Sequence, residues 1–181
     1  MLSKLREATH QLHKEIEKDN LADLIISHEI TLDQYKKLLL QNHTAYRIVE
    51  AEITKYIPEY TSEKTVHLQK DLDLLELENP YLEEYTLKFK CTSVAQAIGA
   101  RYVIEGSSLG GIMIATHLKD CANLQDLTKH NFFNGDRDGV MSWNKYCKDL
   151  KKIDFTAAQE KEAIQKAMDT FNFFGKVFRE I

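Results

Sequence analysis

Two prolines and seven glycines in 181 residues leave this sequence poor in the residues that interrupt regular structure. That scarcity, beside abundant Leu, Glu, Lys and Ala, excludes a loop-rich or collagen-like chain and points to a nearly all-helical protein. No region reads as a β-sheet. The cysteines Cys91, Cys121 and Cys147 are odd in number and widely spaced, which excludes a zinc ribbon and a disulfide framework; they read as reduced structural thiols. A formal charge of −4 with no Lys/Arg block provides no field for gripping nucleic acid. No apolar run is long enough to cross a bilayer, and Met1-Leu2-Ser3-Lys4 leads straight into a charged amphipathic segment rather than a signal-peptide core. The expectation is a cytoplasmic protein without membrane partners. A chain of this length and apolar content is expected to form one domain over residues 1–181 and to fold alone.

Apolar periodicity and caps divide the chain into helices. The first is expected from a Ser3 N-cap to about Lys18, with Leu5, Ala8, Leu12 and Ile16 as its apolar stripe. Thr31-Leu32-Asp33-Gln34 is a capping box, opening a long helix that Pro58 stops. Ser62 opens a third through about Leu77, before Asn79-Pro80 breaks the chain. A glycine-rich helix is expected from about Thr92 to Leu118, bent or interrupted around Gly106 to Gly111. After a polar connector containing Phe132 and Phe133, a helix spans about Val140 to Leu150. Thr156-Ala157-Ala158-Gln159 then caps a last one, with Ala163, Ala167, Phe171, Phe174 and Phe178 facing inward.

Two segments carry chemistry. In Gly99-Ala100-Arg101-Tyr102-Val103-Ile104-Glu105-Gly106-Ser107-Ser108-Leu109-Gly110-Gly111, each glycine costs a helix about 1 kcal/mol relative to alanine. Such a loss is kept where something approaches the backbone more closely than a Cβ permits: a neighbouring helix packed through small residues, or a flat ligand. Gly106 and Gly110 share one face. In Leu5-Arg6-Glu7-Ala8-Thr9-His10-Gln11-Leu12-His13-Lys14-Glu15-Ile16-Glu17, His13 lies about 60–100° around the helix from Leu12 and Ile16, at the edge of the apolar stripe. Glu17 follows one turn later, within reach of the imidazole. On spacing alone, a lone histidine beside an apolar stripe is usually a satisfied surface or core histidine, and His13 reads first as that.

Together these segments resemble the haem oxygenase family, in which a histidine on the first helix ligates haem iron and a glycine-rich kinked helix covers the opposite face of the porphyrin. The run Tyr102-Val103 followed by Glu105-Gly106-Ser107 and Leu109-Gly110-Gly111 is similar to bacterial, biliverdin-producing members. The resemblance implies an all-α, single-domain, multi-helical bundle with a glycine-kinked distal helix. Its implied activity is oxidative opening of haem, both cofactor and substrate, to biliverdin with release of carbon monoxide and ferrous iron.

Residue by residue, the resemblance makes His13 the iron ligand and Glu17 the carboxylate that orients it. Tyr102, Gly106, Gly110 and Gly111 become haem contacts, with Gly106 and Gly110 leaving room for bound oxygen. Ser107 stands where animal members carry an aspartate, and its hydroxyl is expected to hold a water chain near the oxygen. Arg6, two turns before His13 and about 20° away in helical phase, corresponds to a basic position suited to a haem propionate; Lys145 and Lys148 are further candidates. Two positions depart from the family pattern: Ile112 replaces a polar residue after the double glycine, and Asp138-Gly139-Val140-Met141 lacks an arginine. Because the chain has no flavin fingerprint, iron–sulfur cysteine pattern or G-x-G-x-x-G, dioxygen chemistry would draw electrons from an external reductase, which the resemblance implies is of ferredoxin or flavodoxin type. A monomer is expected.

Glu7 and His10 form one Glu-x-x-His, the unit that di-iron bundles use twice, but no second copy follows. Two other readings stay open: a non-catalytic haem carrier or sensor, and a haem-free enzyme of the wider fold acting on a small metabolite, as thiaminase-like relatives do.

Overall fold

The computed structural model describes residues 1–181 apart from the side chain of Asp19. Its elements are α1 (Leu2–Asp19), α2 (Ala22–Ile26), α3 (Leu32–Thr54), α4 (Glu63–Leu74), α5 (Leu82–Thr86), α6 (Val94–Gly106), α7 (Ser108–Leu118), a 3-10 turn (Ala122–Leu124), α8 (Asp138–Leu150) and α9 (Ala157–Glu180). No strand occurs among the described residues, and the architecture is all-α.

Both capping boxes form: Thr31 and Thr156 accept from the backbone N–H of Gln34 and Gln159, whose side chains accept in return from the threonine N–H groups. Ser3 is not a cap. It lies inside α1, which begins a residue earlier after Met1 and has no side-chain cap. Ser62 stands at the N-cap of α4 with φ −81 and ψ 57, outside the extended conformation that aims a cap oxygen at the helix, and makes no such bond. That helix ends at Leu74 rather than Leu77, while α3 stops at Thr54, before Pro58.

Two helices form the centre. α3 buries residues on most of its circumference, from Tyr35 and Leu38 to Val49 and Ile53, and α6 does the same from Ala95 to Glu105. α6 packs chiefly on α9, where Ala97, Gly99 and Ala100 present almost no side chain. A Cβ added to Gly99 would fall 2.0 Å from the Ala163 carbonyl oxygen, so contact between these two backbones requires glycine there. The inward residues expected on α9, Ala163, Ala167, Phe171, Phe174 and Phe178, are all buried, and α1 lies against this helix. The expected glycine-rich helix is two segments, with Ser107 between α6 and α7. Helical bonding continues across it, from Ser107 N–H to Val103 and from Gly111 N–H to Ser107, both at 3.2 Å.

Candidate functional site

A cavity of about 1580 Å³ opens between α1, α3, α4, the α6–α7 junction, α8 and α9. Both singled-out segments reach it: Arg6, His13 and Glu17 from α1, and Tyr102, Gly106, Ser107, Gly110 and Gly111 from α6 and α7.

His13 Nδ1 lies 3.3 Å from Glu17 Oε1, the contact expected from their one-turn spacing. The carboxylate faces Nδ1, which leaves the Nε2 lone pair for another partner. Behind the imidazole, Phe171 presents an edge at 5.8 Å between ring centroids, and Phe174 and Phe178 extend this apolar wall. Arg6 is exposed at the cavity and makes no ion pair among the described residues. Lys145 also reaches the cavity but is paired with Asp149 at 2.8 Å, and Lys148 does not line it.

On the other segment, a Cβ at Gly110 or Gly111 would meet nothing within 4 Å. These glycines therefore accommodate no neighbouring helix and face open space. At Gly106 the nearest atom would be Trp143 at 3.6 Å, an ordinary contact. Gly99, within the same motif, is the glycine that serves helix packing. Tyr102 is buried against Trp143, with ring centroids 5.8 Å apart. Ser107 donates its hydroxyl hydrogen to the Ile104 carbonyl at 2.8 Å, and the Tyr46 hydroxyl is its neighbour. Leu109, Met113 and Met141 line the cavity while remaining half or more exposed, and so mark an apolar rim.

The structure adds a buried polar cluster that the sequence does not announce. Glu50, wholly buried on α3, accepts from the Tyr60 hydroxyl at 2.7 Å and from the Thr65 N–H at 2.8 Å and hydroxyl. Burial raises its pKa against those bonds and the nearby Lys64 charge. Glu105, from the glycine-rich motif, accepts from Arg101 Nε at 2.9 Å and from the Ser142 hydroxyl at 2.6 Å, joining α6 to α8. The Arg101 guanidinium lies over the Tyr60 and Tyr146 rings. Lys64 donates to Ser108 Oγ at 2.9 Å, and burial lowers its pKa against the fields of Glu50, Glu105, Glu63 and Asp136. The only sequence signal for this cluster was Glu105 beside Gly106; its other members come from distant segments.

His67 lines the cavity from α4, and the other histidines make protein contacts or lie at the surface. His28 Nε2 meets His117 Nδ1 at 3.1 Å, His130 Nδ1 meets the Tyr35 hydroxyl at 2.7 Å, His43 Nδ1 meets the Asn79 amide at 3.0 Å, and His10 is exposed. No group of three or more metal-ligating side chains occurs among the described residues. No helix among them is long and apolar enough to cross a membrane.

Among solved structures, the haem oxygenase-1 of the cyanobacterium Synechocystis sp., in complex with haem, is similar in fold, with a TM-score of 0.75 at 20% identity over 98% of this chain and 90% of that one. The haem oxygenase of Neisseria meningitidis, solved with NO and CO bound, gives a TM-score of 0.69 at 25% identity over 98% and 89%. No curated protein matches the chain significantly. A family model described as Heme oxygenase matches residues 1–180, and with that match over nearly the whole sequence the chain belongs to the haem oxygenase family.

Proposed function

We propose that this chain binds haem as both cofactor and substrate and opens it to biliverdin, releasing carbon monoxide and ferrous iron. The observation that carries the reading is the presence, in one cavity, of an imidazole with its Nδ1 facing a carboxylate and a helix face where added Cβ atoms would meet nothing. These residues suit haem. Nε2 of His13 is the available nitrogen ligand, Phe171, Phe174 and Phe178 supply an apolar wall, and the open face at Gly110 and Gly111 admits a flat ligand.

Bound haem supplies an iron centre that activates dioxygen with electrons delivered from outside. Glu17 fixes the orientation of the His13 ring. The aromatic wall and the buried Tyr102 exclude water from that side. Gly106, Gly110 and Gly111 keep space at the opposite side, and Ser107 offers an acceptor oxygen there. Arg6 is free to meet a propionate at the cavity edge. The whole of residues 1–181 acts as one haem-binding domain in this reading, a cytoplasmic monomer served by a reductase of ferredoxin or flavodoxin type.

The non-catalytic carrier reading draws on one observation, the commitment of the Ser107 hydroxyl hydrogen to Ile104. Adding haem to the purified protein and then a competent electron donor in air separates the readings. A one-to-one Soret complex that decays to biliverdin is expected. A stable complex without biliverdin would make the protein a carrier, and no Soret shift would favour the haem-free small-metabolite enzyme.

A further inference from the structure

We propose that Lys64 is the hydrogen-bond and proton donor on the glycine-lined side of the cavity, in place of the Ser107 hydroxyl. The inference rests on the haem reading above and assigns a residue to the proton supply that oxygen reduction there needs.

Within the polar cluster and its neighbour Ser107, the donors are committed one by one, which singles out Lys64. Ser107 gives its hydrogen to Ile104, Tyr60 to Glu50, and Ser142 to Glu105. Both carboxylates of the cluster are filled by these donors together with Thr65 and Arg101. Arg101 is held by Glu105 and by two tyrosine rings. The Lys64 ammonium has three N–H groups, of which one goes to Ser108 Oγ at 2.9 Å, and it forms no ion pair among the described residues. Its other neighbours are ring faces: Tyr46 at 5.7 Å and Phe132 at 6.0 Å to the centroids. Donor capacity toward the cavity is therefore left over.

The ammonium is also placed. Ser108 is the first residue of α7, three positions before Gly111 and so about 60° from it in helical phase, and α8 lies directly on it: a Cβ at Gly139 would fall 2.8 Å from Ser108 Cβ and Oγ. Gly139 thus lets α8 pin the serine that docks the lysine at the wall of the cavity that Gly111 also lines. Four carboxylates surround Lys64, Glu50 from α3, Glu63 on its own helix, Glu105 from α6 and Asp136 from the connector. Their charges oppose the effect of burial on the ammonium and make the spot unsuited to a propionate. Burial pulls its pKa down from the usual lysine value, which eases proton release. Each proton passed to the oxygen under reduction leaves a neutral amine that recovers one from solvent, while electrons come from the external donor.

The test uses ferric, haem-loaded protein and fluoride, whose affinity and charge-transfer absorption follow hydrogen-bond donors at the ligand. Lys64→Met should keep the wild-type fold and Soret band but weaken fluoride binding about tenfold or more, the cost of one charge-assisted hydrogen bond. Lys64→Arg, which retains a cationic donor, should stay within a few-fold of wild type, and Ser108→Ala should fall between. Biliverdin yield per reducing equivalent should follow the same order. Fluoride affinity in Lys64→Met within twofold of wild type overturns the proposal. Wild-type protein that binds haem without making biliverdin defeats the activity reading while the fluoride series still decides the donor; wild-type protein that takes up no haem defeats both.

Discussion

His13 and Glu17 are each more than half exposed, so their 3.3 Å contact adds little to folding and acts through orientation of the imidazole. Alanine at position 13 favours a helix and leaves no buried group unpaired. We therefore expect His13→Ala to unfold within about 0.5 kcal/mol of wild type, the range of an ordinary surface substitution. Its haem complex should lose the axial nitrogen signature and regain it on addition of imidazole. Absorption spectra of the mutant with and without imidazole check this, and a mutant spectrum identical to wild type would move the ligand to another residue. The carboxylates of Glu50 and Glu105 are the opposite case, buried groups whose acceptor oxygens are filled within the protein.

At the level of elements, α6 and α7 use the same residue type for different purposes on either side of Ser107. Gly99 sits where another backbone passes, whereas Gly110 faces the cavity. Alanine gains roughly 1 kcal/mol of helix propensity at either position. At Gly99 the overlap with the Ala163 carbonyl outweighs that gain, since forcing a packed interface apart costs about 1–3 kcal/mol or more. Gly99→Ala should destabilise, and Gly110→Ala should stabilise by up to about 1 kcal/mol. Gly110→Leu should also fold well while filling the space that haem needs, so stability and haem uptake move in opposite directions. Urea unfolding and haem titration of the three variants provide the check. Full haem affinity and turnover in Gly110→Leu would mean that the ligand lies elsewhere.

Across the whole molecule, what the sequence made legible was what short-range spacing determines. His13 with Glu17, and Thr31 with Gln34, lie within one turn of each other, so their geometry follows from the helix alone. α2 and α5, of five residues each, are too short for apolar periodicity to register. The polar cluster was hidden because Glu50, Lys64, Glu105 and Ser142 come from four helices and meet only after packing. The same holds for His43, which looks unremarkable in sequence. It is buried to 2% exposure on α3, with Nδ1 facing the amide donor of Asn79. Burial first, and then the Arg47 charge, lower its pKa from 6.5 to about 4, against smaller opposing effects of Gln69 and Asp73. The unfolded chain thus takes up this proton more readily than the folded one. Stability is unaffected by this group above pH 6.5 and falls as pH drops from 6.5 to about 4, by about 3 kcal/mol in full at 1.36 kcal/mol per pKa unit. His43→Gln removes the titration while keeping a polar side chain. Urea unfolding at pH 7.5 and 4.5 should show wild type losing about 2.5 kcal/mol more than the variant over that interval, most of the full effect. Equal losses in the two proteins would place the acid sensitivity of the fold in its carboxylates instead.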